Sequence, residues 1–277
     1  MQPIHHASTL VLVRPATTGF EVFLSRRTAS AAFMANVHVY PGGRLDAADL
    51  DARFAAMVPD DVLDVAADFE AADGVDASLR RGLVVTALRE CFEEAGVLFG
   101  RPRSVAAPAD VRAAVRARLN AGACSFGEAL DALDWALDAS ALRYFAHWVT
   151  PPFESRRFDT RFFLAPMPSD EEAAPDESEL VEGAWMTPSA ALASYASGGL
   201  ALAPPTLCTL HDLSALSTVD EALAWAWAAR PVSIEPRMVE VEGVPALLLP
   251  GDPLYPSPEP CPGPRRLYLR HGRFELG

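Results

Sequence analysis

Residues 89–97 read Arg-Glu-Cys-Phe-Glu-Glu-Ala-Gly-Val, which places three carboxylates beside one arginine and ends in a glycine and an apolar residue. Glu90, Glu93 and Glu94 have the i, i+3, i+4 spacing that puts side chains on one face of a helix. Carboxylates this close repel one another, and a hard divalent cation with oxygen ligands would relieve the repulsion. The segment therefore indicates a metal site, although acidic residues beside an arginine also occur on ordinary solvated helix faces.

The helix that carries these glutamates is predicted over residues 78–95, with Gly96 as its C-terminal cap. The three glutamates then stand in the last two turns. The negative end of the helix dipole lies there and adds to the attraction for a cation.

A second informative stretch lies upstream, at residues 37–46, which read Val-His-Val-Tyr-Pro-Gly-Gly-Arg-Leu-Asp. The order is typical of a short strand that runs into a Pro-Gly-Gly turn. Together with residues 89–97 it resembles the signature of the Nudix hydrolases. That signature is a glycine, five residues, a glutamate, seven residues, and then Arg-Glu-apolar-any-Glu-Glu-any-Gly-apolar. Residues 89–97 match its second half throughout, with Cys91 in the apolar position.

The first half of the signature is interrupted. With Gly43 as the opening glycine, the acidic position falls on Asp49, and Arg89 follows it by 89 − 49 = 40 residues. The family has a step of eight there, so about 32 residues are inserted. A box broken in this way resembles that of a subfamily of coenzyme A diphosphatases. Three further stretches are similar to the same subfamily, residues 157–163, 203–207 and 248–255.

The resemblance and the hydrophobic periodicity predict an α/β fold, a Nudix-type α/β/α sandwich with a mixed sheet in a single domain, residues 1–277. Residues about 50–78 are predicted to form a helical insertion in the Nudix box, and residues about 200–277 a C-terminal α+β extension. The insertion reads as one or two amphipathic helices, either a lid or homodimer contact near the site or a peripheral flap. The other predicted elements are a hairpin of residues 7–13 and 20–25, helices at 109–121, 126–137, 206–216 and 219–228, a helix opening at Thr187-Pro188, and strands at 142–149, 158–164, 184–186, 238–249 and 267–274.

Composition limits the classes of function. All 23 basic residues are arginine, so the chain lacks the lysine that a P-loop, a Schiff-base enzyme or a pyridoxal enzyme requires. The formal net charge of −14 repels polyanions, which argues against nucleic acid as a partner. The four cysteines show no Cys-x-x-Cys spacing, so neither a zinc site nor a disulfide framework is expected.

Length and hydropathy indicate a globular protein. With 277 residues, half of them hydrophobic, the chain can bury a full core. No apolar run reaches the roughly 18 residues needed to cross a bilayer, and the first residues lack the regions of a signal peptide. We therefore expect a cytoplasmic protein with no membrane partner.

For the chemistry, the resemblance implies hydrolysis of a nucleoside diphosphate joined to another group, with one or more Mg²⁺ or Mn²⁺ ions. Glu90, Glu93 and Glu94 would be the metal ligands, and a backbone carbonyl at Gly43 a further one. Arg89 would orient a neighbouring carboxylate through a bidentate pair. The general base is left open between a glutamate of the box and one on a later loop.

The later loop offers its own acidic residues. Glu177, Glu179 and Glu182 precede a predicted strand, and position favours Glu179 as the carboxylate that completes the metal site. The alternative for this acidic stretch is a solvated loop.

For the substrate, paired arginines matter most in an acidic protein. Coenzyme A carries a 3′-phosphate besides its diphosphate, and the candidates to bind these groups are Arg26, Arg27, Arg44, Arg156 and Arg157. The same arginines are also compatible with ordinary exposed strand positions.

We expect a metal-dependent diphosphatase that cleaves coenzyme A or acyl-coenzyme A to 3′,5′-ADP and (acyl-)phosphopantetheine. One alternative is hydrolysis of ADP-ribose, NADH, dinucleotides or nucleotide sugars. Another is a catalytically silent ligand sensor on the same fold.

Overall fold

A computed structural model describes residues 3–28, 36–58, 75–174, 180–256 and 264–277 of the chain. These residues form fourteen strands, in chain order β1 Ile4–Pro15, β2 Phe20–Arg27, β3 His38–Val39, β4 Gly42–Arg44, β5 Gly100–Pro102, β6 Trp135–Leu137, β7 Arg143–Val149, β8 Arg157–Pro166, β9 Leu180–Met186, β10 Ser233–Ile234, β11 Arg237–Val241, β12 Val244–Leu248, β13 Arg266–Arg270 and β14 Arg273–Leu276. They also form six α-helices, α1 Ala77–Ala95, α2 Ala109–Asn120, α3 Phe126–Ala132, α4 Pro188–Ser197, α5 Pro204–Leu213 and α6 Val219–Ala228.

Eight of the strands form one mixed sheet. Its order is β10-β7-β8-β1-β2-β3, with β4 paired to β1 and β9 paired to β2. The β1–β8 and β10–β7 pairs are parallel, and the other pairs in this sheet are antiparallel. The predicted mixed sheet and its opening hairpin, β1 with β2, are confirmed.

Both faces of the sheet are covered, as β1 illustrates. Leu10 and Leu12 pack into a core shared with α1, α2 and α3. Val11 and Val13 point the other way, because side chains alternate along a strand, and pack with α4, α5 and α6. The predicted α/β/α sandwich is therefore confirmed.

Helix α1 is placed by its own caps. It begins after Asp76, whose side chain accepts a hydrogen bond of 2.8 Å from the Leu79 N–H. It ends at Gly96, which is left-handed at φ 73°. The helix predicted for residues 78–95 and its glycine cap are confirmed, so the acidic segment does stand on the last two turns.

The helix predicted at residues 126–137 is wrong in its second half. A capping box of Ser125 with Glu128 starts α3, but the helix ends at Ala132. Residues Trp135–Leu137 form β6, which pairs with β5, and the Trp135 indole N–H donates to the Phe99 carbonyl at 3.1 Å. This tertiary pairing outweighs the helical periodicity.

The predicted strands at 238–249 and 267–274 are each a hairpin. Turns with positive φ at Glu242-Gly243 and His271-Gly272 separate β11 from β12 and β13 from β14. Apolar alternation continues across such short turns, so periodicity alone does not locate them.

The extension packs on the second core. Strand β10 joins the main sheet beside β7, and Leu247, Leu249 and Leu267 belong to the same core as Val11. A 3₁₀ turn at Ala47–Leu50 carries Asp49 and leads into the insertion, of which the 3₁₀ turn Ala52–Ala56 is described. The predicted amphipathic helices, and with them the lid or homodimer contact, lie mainly in residues 59–74, outside the described residues. No helix in the described ranges combines the length and the apolarity that a membrane crossing requires.

Candidate active site

The end of α1 lies against β4, where the Gly-Gly pair sits. The Gly42 N–H donates to Glu94 Oε2 at 2.9 Å. A Cβ atom on Gly43 would come within 2.3 Å of Glu90 Oε1, so only glycine lets this backbone lie against the Glu90 carboxylate. The two halves of the signature therefore meet in space although the insertion separates them in sequence.

Arg89 forms the bidentate pair that the sequence predicts, and its partner is Asp49. Arg89 Nε donates to Asp49 Oδ1 at 2.9 Å, and Nη2 donates to Asp49 Oδ2 at 3.0 Å. Nη2 also donates to the Arg44 carbonyl at 2.8 Å. Asp49 is 1% exposed and accepts further bonds from Thr86 Oγ1 at 2.9 Å and from the Asp46 N–H at 3.0 Å. The acidic position of the interrupted half thus anchors the arginine of the intact half.

The same arginine faces two of the glutamates. Arg89 Nη1 lies 2.9 Å from Glu90 Oε1 and 2.6 Å from Glu93 Oε2. If Asp49, Glu90, Glu93 and Glu94 are all ionised, they and Arg89 together carry −4 + 1 = −3 charges. One arginine therefore leaves this largely buried cluster with an excess of negative charge.

The pKa values of Glu90 and Glu93 are both raised, mainly because the carboxylates are buried. Burial raises the pKa of Glu90 to about 8; Arg89 opposes the shift, and the Glu93 and Asp49 carboxylates add to it. Burial is also the largest cause that raises the pKa of Glu93, and Arg89 again opposes it. A proton or a cation would stabilise both side chains.

The donor set fits a hard divalent cation by its chemistry. Glu90, Glu93, Glu94 and the Gly43 carbonyl offer only oxygen atoms, which Mg²⁺ and Mn²⁺ prefer. Within the described ranges, no three His, Cys, Asp or Glu side chains converge as a metal site. The hydrogen bonds supply the reason, since Glu90 and Glu93 turn to Arg89 and Glu94 turns to Gly42. The metal-ligand roles of these four residues stay predictions.

Of the three acidic candidates Glu177, Glu179 and Glu182, the structure describes Glu182. Glu182 lies on β9 and pairs with Arg26 Nε at 3.2 Å. Glu177 and Glu179, including the predicted metal ligand Glu179, lie outside the described residues.

A cavity of about 740 Å³ opens beside the carboxylates. Glu90, Glu93 and Glu94 line it together with Gly43. Of the candidate substrate-binding arginines, three also line it, Arg27, Arg44 and Arg156.

The other two candidate arginines are engaged elsewhere and do not line this cavity. Arg26 pairs with Glu182 and donates to Asn36 Oδ1 at 3.2 Å. Arg157 is buried and donates to Glu235 Oε1 at 2.8 Å and to the Thr150 carbonyl at 2.9 Å. Arg157 therefore ties β8 to the extension, and a direct contact of Arg26 or Arg157 with substrate has no support in this geometry.

Part of the cavity was not anticipated from the sequence. Phe153 and Met238 line it, and no motif marks either residue. Ala203, Pro204, Pro205 and Thr206 also line it, and they fall in the stretch 203–207 that resembles the coenzyme A diphosphatase subfamily. The resemblance of that stretch to the subfamily was the signal in the sequence that α5 would contribute to the site.

Comparison with known proteins gives consistent matches. The family model described as NUDT19 Nudix domain matches residues 4–213. The acyl-coenzyme A diphosphatase NUDT19 of Homo sapiens is 28% identical over 280 residues, which cover 87% of this chain and 74% of that protein. The protein of the same name from Gallus gallus is 27% identical over 294 residues, which cover 90% of this chain and 76% of that protein. The crystal structure of a Nudix hydrolase from Alicyclobacillus acidocaldarius superposes with a TM-score of 0.66 at 30% identity, covering 81% of this chain and 97% of that chain.

The sandwich, the carboxylates of α1 against β4 and these matches define the class as Nudix hydrolases, enzymes that cleave diphosphate linkages. The chain belongs to that family, in the branch represented by the NUDT19 Nudix domain. The predicted family and the prediction of a hydrolase are confirmed.

Proposed function

We propose that the chain hydrolyses coenzyme A or acyl-coenzyme A at the diphosphate, in the presence of Mg²⁺ or Mn²⁺, to 3′,5′-ADP and (acyl-)phosphopantetheine. The observation that carries the proposal is one cavity lined by the carboxylates of α1, the Gly-Gly strand and three arginines. The names of the human and chicken relatives support the coenzyme A class of substrate.

The residues divide the chemistry between them. Glu90, Glu93, Glu94 and the Gly43 carbonyl would hold the cation, which when bound neutralises the diphosphate and lowers the pKa of water. Arg89, itself held by Asp49, keeps Glu90 and Glu93 on one side of the cluster. Water adds to one phosphorus while the bridging P–O bond breaks, and the two protons of water pass to the new phosphate ends or to solvent. Each product keeps one phosphate of the former diphosphate, and 3′,5′-ADP also keeps its 3′-phosphate.

The arginines of the cavity explain how an acidic protein could bind an anionic substrate. Arg27, Arg44 and Arg156 line the same space, and a guanidinium binds phosphate oxygens in bidentate fashion. They would hold the diphosphate and the 3′-phosphate, which are the charged groups of coenzyme A.

The test is a hydrolysis screen with and without Mg²⁺, with products identified by mass. The compounds are coenzyme A, acetyl-coenzyme A, a long-chain acyl-coenzyme A, NADH, ADP-ribose and diadenosine polyphosphates. Release of 3′,5′-ADP from the coenzyme A set supports the proposal. Turnover of the other nucleotides alone would overturn the substrate and keep the class of reaction.

Glu93→Gln separates an enzyme from a ligand sensor. We expect turnover to fall by at least about a hundredfold while coenzyme A binding, measured by calorimetry, is retained, because a charged ligand oxygen is lost. The exposed Glu172→Gln is the matched control. Unchanged turnover in Glu93→Gln would rule out its metal role, and binding without turnover in the unmodified protein would favour the sensor.

A further inference from the structure

We propose that the end of the cavity remote from the carboxylates binds the pantetheine arm and thioester of the substrate, and that Phe153 and Met238 set the preference for an acylated arm. The inference rests on the proposed function and adds a binding site whose wall comes from the C-terminal extension.

The cavity has two chemically different linings. The carboxylates line it beside β4, and apolar side chains line it from β7, β8 and the segments after β10, namely Trp148, Phe158, Pro236, Met238, Leu247 and Phe274. Arg156 lies on the loop that joins β7 to β8. The last four of these lie beyond residue 213, where the match to the family model ends. The extension therefore supplies four of these six apolar side chains, whereas the carboxylates belong to the matched domain.

The strands beneath the cavity allow the distance along it to be estimated. Gly42 on β4 pairs with Thr9 on β1, which pairs with Phe162 on β8, and β7 and β10 follow in the sheet. The residues of β10 do not line the cavity, so the distance along it is three steps between neighbouring strands, from β4 to β7, which span about 14 Å. The pantetheine arm has the backbone length of about four residues, roughly 14 Å when extended. An arm whose diphosphate lies at Gly43 would thus bring its sulfur to the β7–β10 side, where Trp148 and Pro236 stand.

Phe153 and Met238 stand at this end on separate segments. Phe153 follows β7 and is 54% exposed, and Met238 lies on β11 and is 41% exposed. Single exposed apolar residues are ordinary, but these two come from distant parts of the chain to the wall of one cavity. An acyl group placed between them would remove apolar surface from water on both sides, whereas the free thiol of coenzyme A would cover less.

The experiment compares Phe153→Ser, Met238→Ser and the double variant with Leu254→Ser. Leu254 is an apolar residue of the extension that is 61% exposed and does not line this cavity. We expect the double variant to lower kcat/KM for octanoyl-coenzyme A about tenfold relative to coenzyme A, mainly through KM, and Leu254→Ser to leave this ratio unchanged. Thermal unfolding of each variant checks that the fold is retained.

A second measurement keeps the inference distinct from the proposed function. Octanoyl-pantetheine, which lacks the diphosphate, is titrated into the full chain by calorimetry. Binding that the double variant weakens and Leu254→Ser does not supports the arm site. An unchanged selectivity ratio with active protein, or equal fragment binding by all variants, overturns it. Failure of the unmodified protein to cleave any coenzyme A compound would instead refute the proposed function.

Discussion

Asp49 shows how a signature broken in sequence is rejoined by single side chains. The 3₁₀ turn Ala47–Leu50 brings its carboxylate to Arg89, and the Asp46 N–H and the Thr86 hydroxyl both donate to its Oδ2 atom. Arg89 in turn faces Glu90 and Glu93. The position of the glutamates therefore depends on a residue that lies 40 positions upstream of Arg89.

Asp49→Asn is expected to destabilise the protein. The change leaves Arg89 buried without its main counter-charge, and breaking a buried pair in this way costs about 3 kcal/mol of the free energy of unfolding. Urea denaturation measures the loss, and the exposed Asp110→Asn is the control. Equal stability of the two variants would show that the Arg89–Asp49 pair contributes little.

Glu90 should make the metal-free protein less stable as the pH rises. Its folded-state pKa, about 8, lies above its ordinary value of 4.5, so the folded state binds more protons between these values. The free energy of unfolding, relative to Glu90→Gln, should therefore be highest below about pH 4.5 and fall as the pH rises through about 8.

Denaturation in EDTA from pH 5 to pH 9 measures this slope for Glu90. Mg²⁺ added at pH 8 should restore stability in the unmodified protein more than in Glu90→Gln, since a ligand bound only to the folded state stabilises it. If the free energy of unfolding changed with pH in the same way for both proteins, the raised pKa of the buried Glu90 carboxylate would be contradicted.

At the scale of elements, the contact between β4 and α1 assigns different roles to neighbouring glycines. A Cβ on Gly42 would lie 2.6 Å from the Ser8 carbonyl oxygen and 2.8 Å from Thr9 Cα, which are backbone atoms of β1. The three atoms nearest to a Cβ on Gly43 all belong to the Glu90 carboxylate. Gly42 thus permits the pairing of β4 with β1, and Gly43 permits the close approach of the Glu90 carboxylate.

We expect Gly42→Ala to destabilise the protein by about 2 kcal/mol, because β1 cannot move aside without disturbing the sheet. Gly43→Ala should destabilise the protein less. Its turnover should fall at least about tenfold, because the added methyl group displaces Glu90 from the carboxylate cluster. Urea denaturation and the hydrolysis assay, run on both variants, separate the two effects. The same ratio of stability loss to activity loss in both would be inconsistent with this division.

On the scale of the whole molecule, the extension is held to the sandwich by several kinds of contact. Strand β10 pairs with β7, Arg157 pairs with Glu235, and the Tyr195 hydroxyl donates to the Phe274 carbonyl at 2.8 Å. Leu247 and Leu267 lie in the core shared with β1. These contacts make the predicted single domain testable.

Thermal unfolding of the full chain is expected to be one cooperative transition, since the extension and the sandwich share a core. Scanning calorimetry measures it, and the calorimetric and van't Hoff enthalpies should agree. A separate transition at lower temperature would show that the extension unfolds on its own and contradict a single domain.

Local signals in the sequence predicted α1 over residues 78–95, its Gly96 cap and the common face of its glutamates, because caps and i, i+3, i+4 spacing act within a few residues. The Asp76 N-cap, which starts the helix one residue earlier, was not predicted. The layered α/β architecture also followed from periodicity, since apolar residues must be buried on both faces of a central sheet.

Tertiary structure alone decided which arginine of each pair reaches the cavity. Arg27 and Arg156 line it while Arg26 and Arg157 form ion pairs. Arg156 precedes β8, and the pairing of β2 with β9 shifts register between Arg26 and Arg27, so regular strand alternation does not assign these side chains. The apolar wall from Met238 is decided in the same way, because it depends on where a distant hairpin packs and on no pattern near the residue itself.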